Sequence, residues 1–374
     1  MSDDSYHLLV SVAGDFPSEI LPVYYHYSGE LVRHLLFHDD ARRDRRIAER
    51  IYGGIRRFER ERSPRIQTLL APLDEHNPAA AAAMIERIGQ HVGGDYSRVI
   101  FNTTGTHGAL LFDLACRLRS LGATILTYDR FENRCETIRG GATREFFCRR
   151  SDIRTHLTLM GYEILQTPDP KELEKRRDVV LKLGLQLERY KEYVDSYVRL
   201  RSPQKVHGYD DIKKLLRSIG KLEDQSYLQG TLFEEYIYFL LGECDCFDDL
   251  LTGVSVRFEE GVENEFDILM IRDNHLHTIE CKLVKRLDGE HFVYKTDRIL
   301  RYLDHDGRAM ILSVGAPNTR SDRRGRTHKQ FTEGDKARAR HAEIRIFQQE
   351  RFDPKEFLVE VIRWFVEPYP RNDL

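Results

Sequence analysis

Asn264-Glu265-Phe266-Asp267-Ile268 and Ile279-Glu280-Cys281-Lys282 lie on either side of Asp273-Asn274. Asp and Asn tolerate the left-handed conformations that tight turns need. The spacing predicts two strands, 266–271 and 276–283, joined as a hairpin. A turn centred between 273 and 274 sets Asp267 opposite Glu280. Side chains alternate faces along a strand, so Glu280 and Lys282 share one face and Asp267 joins them. A slip of one residue in register would break the cluster. Two carboxylates held close raise each other's pKa, and a divalent cation relieves that repulsion. Oxygen ligands suit Mg²⁺ or Mn²⁺. A lysine beside the ion can orient a water and offset charge on a phosphoryl transition state. The pattern is the equipment of metal-assisted phosphodiester hydrolysis. It is equally the pattern of a surface hairpin with a Lys–Glu cross-strand pair, and a short motif of this kind often occurs without chemistry. Apolar Ile279, Cys281 and Leu283 alternate with the charges, which buries one face and places the other. A third acid, Glu234 or Glu235, lies on an expected amphipathic helix at 227–242, where ordinary helix surface is the plainer reading.

Elements that could hold such a hairpin follow from hydrophobic periodicity. Apolar runs at 7–12, 96–101 and 123–128 alternate with helical stretches at 78–92 and 106–121, which predicts a parallel α/β sheet of Rossmann type over 1–150. Strand signals vanish over 151–220, a helical connector. Within it Val180, Leu183, Leu187, Tyr190, Val194 and Tyr197 recur at alternating steps of three and four. That stripe fits a helix packed on its own domain or a seam between two copies. From 221 to 374 a further α/β domain is expected, with strands at 266–271, 276–283, 309–314 and 357–366.

The chain has 374 residues, 58 Lys+Arg against 61 Asp+Glu, and 41% hydrophobic residues. Two or three domains with real cores are expected, and a globally basic nucleic-acid coat is excluded. Local basic stretches remain. Residues 42–65 hold ten arginines against four acids, which reads as a solvated helix laced with ion pairs. Residues 320–340 hold eight Lys/Arg against three acids and read as a loop that could track a nucleic-acid backbone. The six cysteines show no zinc spacing, and neither do the fifteen histidines. These features, with no signal-peptide pattern at Met1–Val12 and no long apolar run, lead to the expectation of a reduced, cytoplasmic protein without membrane contact.

The order Gly230-Thr231-Leu232-Phe233-Glu234-Glu235-Tyr236, then Asn264-Glu265-Phe266-Asp267, then Ile279-Glu280-Cys281-Lys282 resembles the PD-(D/E)xK nuclease domain of CRISPR-associated CARF-domain effectors. These are ancillary DNA and RNA nucleases of type III CRISPR defence. Tyr294-Lys295-Thr296-Asp297, Arg308-Ala309-Met310-Ile311 and Arg338-Ala339 resemble that family too. Leu232-Phe233 stands where the family usually has Trp-Leu. The resemblance implies that Glu234, Asp267, Glu280 and Lys282 carry the reaction, with Asp267, Glu280 and Glu234 on a Mn or Mg ion. It implies an α/β chain built as a Rossmann-like CARF sensor at 1–150, the connector, and a restriction-endonuclease-like domain at 221–374. It further implies a homodimer that binds cyclic oligoadenylate, expected to be cyclic tetra-adenylate, and cuts DNA, single-stranded or by nicking, and/or RNA.

The sensor loops implied are Ala13, Gly14 and Asp15 after the first strand, and Asn102, Thr103, Thr104, Gly105, Thr106 and His107 after a later one. Small hydroxyl residues and glycine at a strand-to-helix turn present N–H groups to phosphate, although such residues also cap helices in ordinary turns. The family often reads Thr-Gly-Gly-Thr-Lys here; this chain has Thr104-Gly105-Thr106-His107-Gly108, and His107 is mostly neutral at pH 7. Two rivals stand beside this reading: a ligand-independent restriction or repair nuclease, and a ligand-sensing nucleic-acid-binding regulator that does not cut.

Overall fold

The computed structural model describes residues 6–367 except 14–16, 40–41, 63–65, 74–76, 78, 105–107, 259–260, 284–288, 304–306, 316–318, 322–326 and 330; at 42–44, 319–321 and 327–329 it describes backbone alone. Two units form, Met1–Glu163 with Asp273–His275, and Ile164–Arg272 with Leu276–Leu374.

In the first unit, strands β1 (Leu8–Ala13), β2 (Arg33–Asp39), β3 (Gln67–Leu73), β4 (Val99–Asn102), β5 (Thr124–Asp129), β6 (Arg134–Arg139) and β7 (Ala142–Phe147) make one sheet. Its order is β3-β2-β1-β4-β5-β6-β7. The pairs from β3 through β5 are parallel, and β6 and β7 are antiparallel additions. The β6–β7 hairpin turns at Gly140-Gly141, both at positive φ, a turn signal between short half-exposed strands that periodicity alone passes over. Helices α1 (Leu21–Tyr27), α2 (Arg42–Arg62), α3 (Ala80–Val92), α4 (Ala109–Ser120) and α5 (Ile153–Leu159) complete the unit. The apolar face made by Val10, Phe37, Val99 and Phe101 packs with Met84, Ile88, Leu114 and Leu118 from α3 and α4. Helices α2 and α5 meet at Gly54, where a Cβ would lie 2.3 Å from the Leu159 carbonyl oxygen, so only glycine permits that approach. The arginine-rich α2 carries the expected ion pairs, Arg45–Glu49 at 2.9 Å and Arg56–Glu59 at 2.8 Å.

The second unit contains β8 (Glu163–Gln166), β9 (Asp249–Arg257), β10 (Glu263–Arg272), β11 (His275–Leu283), β12 (Ala309–Val314) and β15 (Ile344–Gln349), with a small ladder of β13 (Thr319–Ser321) and β14 (Thr327–Lys329). The main sheet runs β15-β12-β11-β10-β9-β8. Helices α6 (Pro170–Gly184), α7 (Leu187–Leu200), α8 (Asp210–Ser218), α9 (Leu232–Gly242), α10 (Gly289–Leu303), α11 (Glu333–His341) and α12 (Pro354–Val361) surround it.

Several expectations need correction. The 151–220 stretch is not purely helical: β8 lies in it, too short and too polar to register as a strand by alternation. The stripe at 180–197 belongs to α6 and α7, not one helix, and Val180, Leu183, Leu187, Tyr190 and Tyr197 are buried in the unit's own core beside Leu232 and Tyr236. It therefore offers no apolar seam to a second copy. The run 357–366 is helix, not strand. Asp353 caps α12 by accepting from the Lys355 and Glu356 amides, and Phe357, Val361 and Phe365, four apart, are the buried residues. The expected loop within 320–340 includes β14 and the capped helix α11. Cys244 and Cys246 are joined in a disulfide, against the expectation of fully reduced cysteines; Asp245 between them takes a positive φ, which curls the chain so that the two sulfurs meet. Among the described residues no helix is long and apolar enough to cross a membrane.

Candidate active site

The hairpin turns at Asp273 and Asn274, with φ of 49° and 66°. Two successive left-handed residues make the tight turn that suits the twist of paired strands. β10 then delivers Asp267, and β11 delivers Glu280 and Lys282. The Lys282 ammonium lies 3.0 Å from Asp267 Oδ2 and 2.8 Å from Glu280 Oε1. Both carboxylates are buried, at 9% and 7% exposure. The Cys281 amide donates to Asp267 Oδ2 at 2.7 Å, which fixes that carboxylate's orientation. β11 also pairs in parallel with β12, Glu280 beside Ile311 and Lys282 beside Ser313, so this strand is held from both edges.

A second cation completes the cluster. Lys295, from α10, donates to both oxygens of Glu280 at 3.1 and 3.2 Å. Lys282 also sits 5.3 Å from the Phe292 ring centre, a cation–π contact from the same helix. Lys295 was not among the site residues expected from sequence. Its signal was the Tyr294-Lys295 pair, but only the packing of α10 shows which residue it reaches.

The two candidate glutamates separate clearly. Glu235 is buried, bound by Arg176 at 3.3 Å and by the Tyr227 hydroxyl at 2.6 Å, so it braces α9 against α6 and the turn before it. Glu234 faces the hairpin. Burial, then the neighbouring Asp267, pushes its pKa up to about 8. Burial, then Glu280, likewise raises Asp267. Burial alone would raise Glu280 too, but Lys282 and Lys295 pull it below the usual range. Lys282 is held above its ordinary value by the two carboxylates, against the opposing effect of burial. The structure thus gathers Glu234, Asp267, Glu280 and Lys282 at one place.

The donors are all carboxylate oxygens, and three acids crowded by burial are what a hard divalent cation neutralises. In chemistry the set fits. In this arrangement the lysines do the neutralising, and among the described residues no three His, Cys, Asp or Glu side chains stand in metal-holding geometry.

In the first unit β1 and β4 are neighbours and parallel. Successive strands leave β1 toward β2 and β3 on one side, and from β4 toward β5 on the other. The loops after Ala13 and Asn102 therefore flank the point where strand order reverses, the usual ligand crevice of such sheets. Gly14, Asp15, Gly105, Thr106 and His107 lie outside the described residues. Asn102 is buried and donates to the Glu19 carbonyl at 3.0 Å, while its Oδ1 accepts from the Thr104 amide and hydroxyl. Thr103 donates to the Leu126 carbonyl at 3.0 Å, and Thr104 Oγ1 accepts from the Tyr128 amide at 2.7 Å. The two threonine hydroxyls brace the loop on β5.

Residues 222–346 match the family model described as Card1-like, endonuclease domain. No curated protein sequence matches the chain. Among solved structures, protein VC1899 from Vibrio cholerae is similar with a TM-score of 0.70 at 16% identity, over 96% of this chain and 98% of that one. Can2 from Sulfobacillus thermosulfidooxidans, solved in complex with cyclic tetra-adenylate, has a TM-score of 0.67 at 16% identity, over 96% and 99%. A type III CRISPR defence DNA nuclease activated by cyclic oligoadenylate has a TM-score of 0.51 at 15% identity; 83% of this chain spans 47% of its length. At such identities the structural likeness speaks for the fold, and the expected α/β class is the one found. The hairpin centre lies inside the segment that matches an endonuclease domain, and the chain is an endonuclease.

Proposed function

We propose that this endonuclease is switched on by a cyclic oligoadenylate and acts in type III CRISPR defence, cutting DNA, single-stranded or by nicking, and/or RNA. The observation that carries the reading is Lys282 bridging two buried carboxylates, Asp267 and Glu280, within the matched nuclease segment. Asp267, Glu280 and Glu234 would hold Mn²⁺ or Mg²⁺, which when bound supplies charge neutralisation and a more acidic water. Lys282 orients the attacking water and offsets charge gathering on the phosphoryl oxygens. Lys295 keeps Glu280 ionised. The loops at the β1/β4 reversal would take the activator, and the likeness to Can2 in its cyclic tetra-adenylate complex supports that ring size. A four-fold repeated ring is matched by two copies of one loop, which supports a homodimer closed about a two-fold axis.

The test is purified protein with plasmid, single-stranded DNA and RNA, each with Mn²⁺ or Mg²⁺ and with or without cyclic tetra-adenylate. Activator-stimulated cutting, lost in EDTA and lowered about a thousandfold or more in Glu280→Ala and Lys282→Ala, is expected. Full cutting without activator would turn the reading to a ligand-independent nuclease. Binding without cutting would turn it to a regulator.

A further inference from the structure

Cys135 on β6 and Cys148, one residue past the end of β7, bring their sulfurs to 3.0 Å within the first unit. We propose that they form a redox-convertible dithiol: a peroxide closes them into a disulfide, and the closed pair clamps Asn133 against the Asp273-Asn274 turn. The inference concerns the first unit's own chemistry and does not depend on the nuclease reading.

The ladder sets the pair. Cys135 lies opposite Phe146. Side chains alternate along a strand, so Cys148 shares the face of Phe146 and therefore of Cys135. Both thiols are buried, and neither is in a disulfide. A disulfide bond is about 2.05 Å long, so the sulfurs need to close by only about 1 Å. Asn133 holds the backbone there: its carbonyl accepts from the Cys148 amide at 2.9 Å, and its Nδ2 donates to the Cys148 carbonyl at 3.1 Å. The same side chain meets the turn. Asn133 Oδ1 accepts from the Tyr128 hydroxyl at 3.0 Å and from Asn274 Nδ2 at 2.9 Å. A covalent tie from Cys135 to Cys148 therefore brackets Asn133 on both strands and restrains its bond to Asn274.

Access comes from the sheet edge. β7 is the last strand of its sheet, and residues 142–145, Phe147, Arg149 and Arg150 are exposed. Such an edge opens locally at low cost, which admits a small oxidant. The bond to Cys135, then burial, raises the Cys148 thiol above its ordinary value, so the closed strand protects the pair and reaction follows opening. The Cys148 thiolate attacks hydrogen peroxide, breaks the O–O bond and keeps one oxygen as a sulfenic acid, while the other leaves as water. The Cys135 thiolate then attacks that sulfur and expels the oxygen as a second water. Two thiols and one peroxide thus give one disulfide and two waters, the sulfurs losing the two electrons that the peroxide gains.

The experiment treats the full wild-type chain with hydrogen peroxide, alkylates what remains reduced and maps the peptides by mass. The expected product joins Cys135 to Cys148, two hydrogens lighter than the dithiol, and dithiothreitol reverses it. The exposed thiol of Cys116 gauges the oxidant dose. The Ser151 amide donates to Asn274 Oδ1 at 2.9 Å, so its hydrogen exchange reports the clamp, and it is expected to slow about tenfold in the oxidised chain. In Cys135→Ser the Cys148 sulfenic acid has no thiol to resolve it and should be trapped by dimedone, with exchange at Ser151 unchanged by peroxide. The wild-type map stands even where that variant fails to fold. Cys135 and Cys148 remaining thiols at a dose that oxidises Cys116, or each oxidising without joining the other, overturns the proposal. So does a disulfide that leaves exchange at Ser151 as it was.

Discussion

Glu234 and Glu235 adjoin in sequence and part in the structure. Glu235 is an ion-paired, hydrogen-bonded brace; Glu234 faces Asp267 and Lys282 with its pKa pushed up to about 8 by burial first and Asp267 second. Their amide variants should fail in opposite ways. Glu234→Gln is expected to lower cutting at least a hundredfold, on the scale of a lost acid contact in a catalytic centre, and to leave the melting temperature in place. Glu235→Gln leaves Arg176 with only a neutral partner. Breaking a buried pair costs about 3–5 kcal/mol, and because Arg176 keeps some water contact the loss belongs at the low end of that range. A thermal melt and a cutting rate for each variant decide it. A stable Glu235→Gln beside an active Glu234→Gln would exchange the two roles.

At the scale of elements, local chemistry was legible and packing was not. The β10–β11 hairpin could be read because Asp273-Asn274 fixes a turn, and a turn fixes which strand residues share a face. Lys295 could not be read as a partner of Glu280, because the docking of α10 decides it. The run 357–366 misled because Val359, Val361 and Trp364 suit a strand, while the Asp353 cap and the four-residue spacing of Phe357, Val361 and Phe365 hold it as a helix. Thr103 and Thr104 were legible as strand-to-helix loop residues; that their hydroxyls bond the β5 backbone was not, because only the packing of β4 beside β5 decides it. One prediction belongs here. His34 on β2 and His156 on α5 are fully enclosed, and burial lowers each to about 3. His34 meets Ser11 Oγ at 3.2 Å, a neutral contact that cannot support a charge. The unfolded chain protonates these histidines near 6.5 and the folded chain refuses the proton. Their stability contribution is therefore complete above pH 6.5 and is lost as pH falls from there toward 3. Each costs about 1.4 kcal/mol per pH unit in that window. Urea midpoints at pH 7.5 and 5.5 should fall together in wild type and fall less in His34→Gln; an unchanged slope would show that His34 does not set it.

For the whole molecule the proposed function asks how an activator, if bound at the first sheet, would be felt at the second. The turn residues Asp273–His275 cluster with the first unit, while the strands on either side belong to the second. There Asn274 accepts from the Ser151 amide and hydroxyl at 2.9 and 2.8 Å and donates to Asn133 at 2.9 Å and to the Arg149 carbonyl at 3.1 Å. His275 bonds the Arg130 carbonyl at 2.6 Å. The same turn is covalently continuous with Asp267 and Glu280, six residues away on either side. Under the proposed function Asn274 is the residue through which the hairpin would feel a change in the sensor, and two variants separate sensing from transmission. Thr104→Glu adds a carboxylate to the proposed activator loop and breaks the bond from the Tyr128 amide. Asn274→Ala removes the four bonds of the Asn274 side chain, keeps the Arg150–Asp273 ion pair and the His275 contact, and leaves the β1/β4 loops alone. Coupling between sites is typically worth about 1–3 kcal/mol, or about five- to a hundred-and-fifty-fold in affinity. Thr104→Glu should therefore shift the dose–response to cyclic tetra-adenylate by at least tenfold and weaken calorimetric binding by the same factor. Asn274→Ala should still bind the ligand yet show a flattened cutting response. If Thr104→Glu binds and responds as wild type does, the activator is not held at the β1/β4 reversal. If Asn274→Ala responds fully, the signal does not travel through the hairpin turn.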